Sequence, residues 1–507
     1  MTTATHSLDV EAVPATPGKE LNVSEQKVDR GTDDHVPYSI FTLNEKRCIV
    51  FALAFAALFS PISSTIYYPA LSLIADDLGV SDALINLTIT TFMIFQGLAP
   101  AFIGAFSDAE GRRPAYVICF LVYVAANIGL ALQTNYAALM LLRCLQSSGS
   151  SGLVAIAIAV VADISTPHER GGWMGWTNAG GMLGPVFGPI IGGLLSQNLG
   201  WRSIFWFLTI ASGVYMVLVV LFFPETGRAV VGNGSHRPPT WSASLFDPIL
   251  KKRVAADPSI SGPPIARLPL RFPNPILTLA LLFDKEASLI LFSTGFLFAG
   301  FYGLMAVLPS QLEHIYGLNS LQIGLVFLSS GIGGSIAAIL TGRLMDFNFR
   351  RHARKLGLDP SDTRRLRTLS AFPIEKARIE LALPFIVLGA SSVLCFGWVM
   401  HFQTHLSGLI VLMFFVGHCT TGAFTILSTL TVDLFPERPA TATAASNMTR
   451  CWLGAGASAG VVPLVGRIGN GWTFTAVAAL WLCLCPPLLA VMRYGPSIRK
   501  KKDDLDT

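Results

Sequence analysis

Residues 180–193 read GGMLGPVFGPIIGG, with six glycines, two prolines (Pro185 and Pro189) and no charge. In water such a run would not stay helical. Glycine costs about 1 kcal/mol against alanine in a helix interior, and proline about 3 kcal/mol. Yet the run lies inside a long apolar segment, residues 173–195. In lipid the helix keeps its backbone bonds internal, and neighbouring helices re-satisfy what proline disturbs. Gly184, Gly188 and Gly192 recur every four residues on one helix face. Small residues on one face let a second helix approach closely, while Pro185 and Pro189 can bend the helix.

The rest of the chain agrees with a lipid setting. Of its 507 residues 52% are hydrophobic and 13% charged, against about 25% charged in soluble domains. Runs near the length needed for a span, about 20 residues, lie at 48–69, 84–104, 115–133, 136–162, 173–195 and 203–223. Six more lie at 288–310, 321–341, 379–400, 406–432, 445–466 and 472–492. Residues 1–45 are polar and read as a disordered cytosolic tail, 224–287 as a cytosolic central loop, and 493–507 as a cytosolic tail. Lys and Arg set the orientation. Eight fall in the central loop and ten between Arg343 and Arg378, whereas the alternate loops hold Arg202 and Arg467. The basic loops, among them 343–378, and both termini are therefore expected on the cytosolic side.

The halves 46–223 and 288–492 echo each other. Gly104-AFS-Asp108-AEG-Arg112-Arg113 follows span two, and Gly342-RLM-Asp346-FNF-Arg350-Arg351 follows span eight, 238 positions later. Asp163 after span four and Asp433 after span ten are 270 positions apart, and Gly200-Trp201 and Gly471-Trp472 are 271 apart. An insertion of 32 residues between spans eight and nine reconciles these offsets. Parallel repeats place a transport site between the halves near the midplane. On this reading the glycine run is a tight, bendable seam between them.

GAFSDAEGRRP resembles the loop motif of the major facilitator superfamily, and Arg143-CL-Gln146-SSGSSG resembles its arginine-centred span-four motif. GGMLGPVFGPIIGG resembles the motif of that family's proton antiporters. SPISSTIYYPAL and PET resemble its fungal twelve-span drug:proton antiporters. The resemblance implies an all-α membrane protein of twelve transmembrane helices in two pseudo-symmetric six-helix halves. It also implies an exporter using protons as partner ions, and a cavity role for Arg143.

Ionisable groups deep in a span mark function. Arg143 can grip a carboxylate through two parallel bonds, and Gln146, nearly one turn on, could add a donor. His418, in span ten, is a candidate proton carrier or second anion donor. Tyr67 and Tyr302 are expected to line the pathway, and Tyr68, Phe92 and Trp398 could hold cations or apolar groups. Asn447 and Arg450 read as gate or headgroup contacts. Asp108 with Arg112 or Arg113, and Asp346 with Arg350, read as latches that break and reform. Gly104 belongs to the first of these motifs. No Asp or Glu falls mid-span, which favours an anionic or neutral substrate, with a small organic acid preferred. A multidrug antiporter for cationic compounds, and a membrane sensor that no longer transports, are the alternatives. No phosphate-binding loop G-x4-G-K-[ST] occurs, so an ion or substrate gradient supplies the energy. The eight cysteines lack metal-ligand spacing. No cofactor, metal, catalytic residue or nucleic acid is expected. The partners are a small-molecule substrate, protons and the bilayer, around a monomer in the plasma membrane.

Overall fold

The computed structural model describes residues 37–166, 169–239, 242–257, 281–357, 372–435 and 439–506. The described residues contain helices and no strands. Span one is Leu43–Thr65, prolonged by a short turn and Leu71–Leu78; spans two to six are Asp82–Glu110, Arg112–Leu132, Tyr136–Ile164, Arg170–Leu199 and Arg202–Phe222. Spans seven to ten are Lys285–Tyr316, Ser320–Lys355, Ile374–His401 and Leu406–Leu434. The remaining apolar stretch, Thr441–Pro496, is 56 residues long, enough to cross twice at about 20 residues per crossing. It turns at Gly469, whose φ of 76° and ψ of 169° break the helix. Span twelve then runs back along span nine, with Phe474 edge-on to Phe396 and Trp481 beside Gly389. The twelve expected crossings are all present.

Local chemistry sets the helix starts. Thr42 and Asn319 close capping boxes with Glu45 and Gln322, and Ser81 and Asn135 accept from the first turns of spans two and four. Each cap satisfies backbone donors that a helix start leaves orphaned. Large apolar side chains on the outer surface, such as Phe51, Leu141, Ile210 and Ile339, are exposed, as a lipid-facing belt requires.

Several sequence boundaries shift. The segment expected as a loose tail up to residue 45 is docked from residue 37. Ile40 and Phe41 are buried, and Tyr38 Oη donates to the Ala162 carbonyl at 3.1 Å. Residues 1–36 lie outside the described residues. The expected basic loop 343–378 is helical at both ends, because span eight runs to Lys355 and span nine starts at Ile374. The central loop carries a helix, Asp247–Ala256, whose Arg253 clamps Glu45 through bonds of 2.7 and 2.8 Å. The C-terminal tail is helical to Asp506.

The glycine run corrects the seam expectation. Its face Gly180–Gly184–Gly188–Gly192 packs on span one, within the first half. A methyl at Gly184 would lie 2.5 Å from Pro61 Cβ and 2.8 Å from Ile62 N. Those at Gly180 and Gly192 would strike the carbonyls of Ala54 and Ile66, and that at Gly188 the Thr65 hydroxyl. Thr65 also donates to the Gly184 carbonyl at 3.0 Å. The seam between the halves uses the next face, about 100° round the helix. There the Pro185 and Pro189 carbonyls meet Gly331 and Gly324 of span eight, and Gly193 meets Ser320. Spans two and eleven make the second seam, where Thr90 Oγ1 and Ser458 Oγ lie 3.0 Å apart. Both seams lie toward the arginine-poor end. Every ion pair among the described residues lies within one half, or between the first half and the central segment.

Candidate functional site

Arg143 is 1% exposed, although it carries a full charge. Its guanidinium is sandwiched between the rings of Tyr67 and Phe92, 4.1 and 4.4 Å from their centroids. Such stacking stabilises a desolvated cation by about 2 kcal/mol. Nη1 donates to Gln146 Oε1 at 2.6 Å and to the Ser63 carbonyl at 3.4 Å. Nε is buried without a partner, and no hydrogen bond reaches Nη2 among the described residues. Gln146 commits one N–H of its Nε2 to Asn127 Oδ1 at 2.7 Å. Asn127 in turn donates to the Tyr123 carbonyl, and the hydroxyls of Tyr123 and Ser63 lie 2.5 Å apart. Tyr67 is held by Thr88 at 3.0 Å. This polar network orients the fork of Arg143 and supplies no carboxylate to neutralise it.

The second half has a second cation, Arg450, that the sequence suggested as a gate or headgroup contact. Arg450 is the twelfth residue of its helix, about 16 Å along it at 1.5 Å per residue. Nη1 donates to the Tyr302 hydroxyl at 3.3 Å and Nη2 to Asn447 Oδ1 at 2.7 Å. The rings of Phe298 and Phe424 lie 5.0 and 5.6 Å away. Asn447 Nδ2 reaches across to the Gln96 carbonyl of span two at 3.3 Å. A polar pair three residues apart, inside an apolar helix, was the signal that could have located it.

The structure does not bring His418 to these groups. Its Nδ1 lies 3.1 Å from the Gly333 carbonyl of span eight, and its ring stacks on Phe414 and tilts against Phe385. It stands a third of a turn, about 120° round the helix, from Phe424, on a different face from the ring that flanks Arg450. Trp398 is likewise remote, packed on Trp472, His401 and Phe402.

At the arginine-rich end the first expected ion pair is present, joined by a third residue. Arg112 pairs with Asp108 and, at 2.7 Å, with the buried Asp163 of span four. Arg113 instead donates to the Val220 carbonyl. Glu225, the acid of the PET run, is buried and caps span three. It accepts from Arg112 N at 2.8 Å, Arg113 N at 3.2 Å, and the N–H groups of Thr226 and Gly227. Gly111 makes room: its φ is +109°, and a methyl there would lie 2.5 Å from Glu225 Oε2. A methyl at Gly104 would meet nothing within 4 Å, so packing does not explain that glycine.

The second expected latch is corrected. Asp346 and Arg350 are exposed and form no ion pair with each other among the described residues. Arg378 takes the role of Arg112 and pairs with Asp433 at 3.0 Å, both side chains being buried. The physical reason is the insertion. In the first half one residue, Gly111, separates spans two and three. In the second half span eight overshoots to Lys355, which leaves Arg378 as the arginine that opens span nine.

Twelve spans in two halves, joined at paired seams and carrying the same Arg–Asp tie at matching places, match a known family. The sequence profile of the Major Facilitator Superfamily covers residues 53–459. The chain belongs to this superfamily. It is 46% identical over 454 residues to the MFS-type transporter phiD of Fungal sp. (strain ATCC 74256), covering 89% of this chain and 69% of that protein. It is 42% identical to the MFS-type transporter tstD of Talaromyces stipitatus, covering 93% and 86%. It is 36% identical to Citrate exporter 1 of Aspergillus niger, covering 99% and 98%. The human organic anion transporter MFSD10 (TETRAN) superposes with a TM-score of 0.54 at 20% identity, covering 87% of this chain and 99% of that one, which speaks to the fold. As a member of this superfamily the chain is a multi-pass membrane protein of a transporter family.

Proposed function

We propose that the protein exports a small organic acid across the plasma membrane, with the basic end and both termini in the cytosol. The observation that carries this reading is Arg143, a buried guanidinium whose Nε has no partner and which, among the described residues, has no carboxylate neighbour. Leaving one charge of a buried pair unmatched costs about 3–5 kcal/mol. A carboxylate substrate supplies the missing partner, and does so most strongly through a two-pronged bond to arginine. A lipophilic cation would instead add to the unpaired positive charge. The 36% identity to a protein named Citrate exporter 1 supports the same substrate class.

Packing of the seams toward the arginine-poor end suits a conformation that loads from the cytosol. Proton influx as the driving force rests on the likeness of GGMLGPVFGPIIGG to the proton antiporters. The side chains around Arg143 add no carboxylate to carry the proton, so coupling is tested separately. The test is flux of labelled citrate and succinate in liposomes holding the purified protein, under imposed pH and voltage gradients. Carboxylate flux that Arg143→Ala abolishes supports the reading. If Arg143→Ala leaves that flux intact while sensitising cells to cationic drugs, the multidrug alternative stands. A ligand response that survives abolished flux would point to the sensor.

A further inference from the structure

We infer that Arg450, with Asn447 and Tyr302, is a second anion-holding group, and that the substrate carries at least two carboxylates held one by each half. This rests on the reading of Arg143 as the first such group.

The contrast with the arginines that form ion pairs motivates it, since Arg113, Arg170 and Arg228, at the arginine-rich end, bond to carbonyl and hydroxyl oxygens. Where Arg112, Arg202, Arg253 and Arg378 tie the fold together, each has a carboxylate: Asp163, Asp77, Glu45 and Asp433. Arg143 and Arg450, deep in the bundle, have neutral partners. Each is held by one side-chain amide, Gln146 or Asn447, three residues away on its own helix. Each is flanked by aromatic rings, and each has a buried Nε without a partner. Amide and rings fix the fork without neutralising it. That arrangement suits a site whose counter-charge arrives with the ligand.

The two groups meet across span two, where Phe92 flanks Arg143 and its neighbour Met93 reaches Tyr302, the partner of Arg450. Around Gly454, Met93 of span two and Tyr302 of span seven converge: a methyl there would lie 2.6 Å from Met93 Cε and 2.7 Å from Tyr302 Cδ2. The Asn447–Gln96 bond crosses the same seam. Two uncompensated cations in a low-dielectric interior repel each other. A monocarboxylate relieves one of them, and a dicarboxylate relieves both while drawing the halves together. Occlusion is thereby linked to the second charge.

The experiment compares succinate with butyrate, equal in carbon number, as substrates of the full chain in liposomes. Wild type is expected to take succinate at the lower KM. In Arg450→Gln the ratio of butyrate KM to succinate KM should collapse by about tenfold or more, the scale of one charge-assisted hydrogen-bonded contact. Arg450→Lys should restore part of that ratio, which a folding defect would not do. The inference is overturned if Arg450→Gln shifts both substrates in proportion, or neither, or if wild type handles butyrate as well as succinate. Wild type that moves citrate, succinate and butyrate not at all would remove the Arg143 reading itself, a distinguishable result.

Discussion

Two glycine-to-alanine changes separate packing within a half from packing between halves. At Gly184 the new methyl would sit 2.5 Å from Pro61 Cβ and 2.8 Å from Ile62 N. Carbon atoms prefer about 3.5–4.0 Å, so spans one and five must part by roughly 1 Å. Overpacking of this kind costs about 1–3 kcal/mol. Separating the spans also stretches the Thr65–Gly184 hydrogen bond of 3.0 Å, worth about 1 kcal/mol. The gain in helix propensity, about 1 kcal/mol, offsets part of this. The net is a loss of about 1–3 kcal/mol of stability, since spans one and five stay together in any conformation of the first half. At Gly324 the methyl drives into the Pro189 carbonyl of the opposite half. That clash disappears when the halves part. The same 1–3 kcal/mol, roughly, then falls on the closed arrangement alone and shifts it toward opening by roughly fivefold to a hundredfold. The assay is a melting curve of purified protein, together with the distance between spin labels at Asn198 and His314 in a cysteine-free background. Gly184→Ala should melt lower with the label distance unchanged. Gly324→Ala should keep its melting point and lengthen the distance. If Gly324→Ala melts as low as Gly184→Ala and the labels do not move, the span five–span eight contact is not a seam that opens.

Three further outcomes follow from the ties at the arginine-rich end. Asp163→Asn leaves buried Arg112 with only the exposed Asp108 and should cost about 3–5 kcal/mol; adding Arg112→Gln should recover part of it, and strictly additive losses in melting would contradict the pairing. Glu225→Gln turns an amide toward the Arg113 N–H and the Ser242 hydroxyl that Oε2 now accepts from. It should cost about 1–3 kcal/mol, and unchanged unfolding would remove Glu225 as the cap. Arg253→Gln should cost about 1 kcal/mol or less, because its clamp on Glu45 is partly solvated. The Glu45 carboxylate holds the Arg253 guanidinium above its ordinary value. The clamp's arginine therefore stays charged throughout pH 5–8, and a stability change traced to its titration in that range would contradict the geometry.

Composition and spacing were enough for the number of crossings, the repeat and the site of the insertion. Hydropathy and Lys/Arg bias act along the chain, one segment at a time, so they survive without three-dimensional information. The deep position of Arg143 was legible for the same reason, as an isolated charge inside an apolar run. Which groups meet across spans was not legible, because that depends on how each helix is rotated about its axis and where it crosses its neighbours. A rotation of about 100° per residue decides that Gly184 faces span one while Pro185 faces span eight. The same rotation turns His418 toward Gly333, on a different face from the Phe424 ring that flanks Arg450. The span-eight overshoot to Lys355 hands the Asp433 tie to Arg378. The burial of Glu225 over the start of span three joins residues more than 110 positions apart. Only the packed bundle sets buried Arg143 and half-buried Arg450, each held by an amide on its own helix and flanked by aromatic rings, apart from the arginines that form ion pairs.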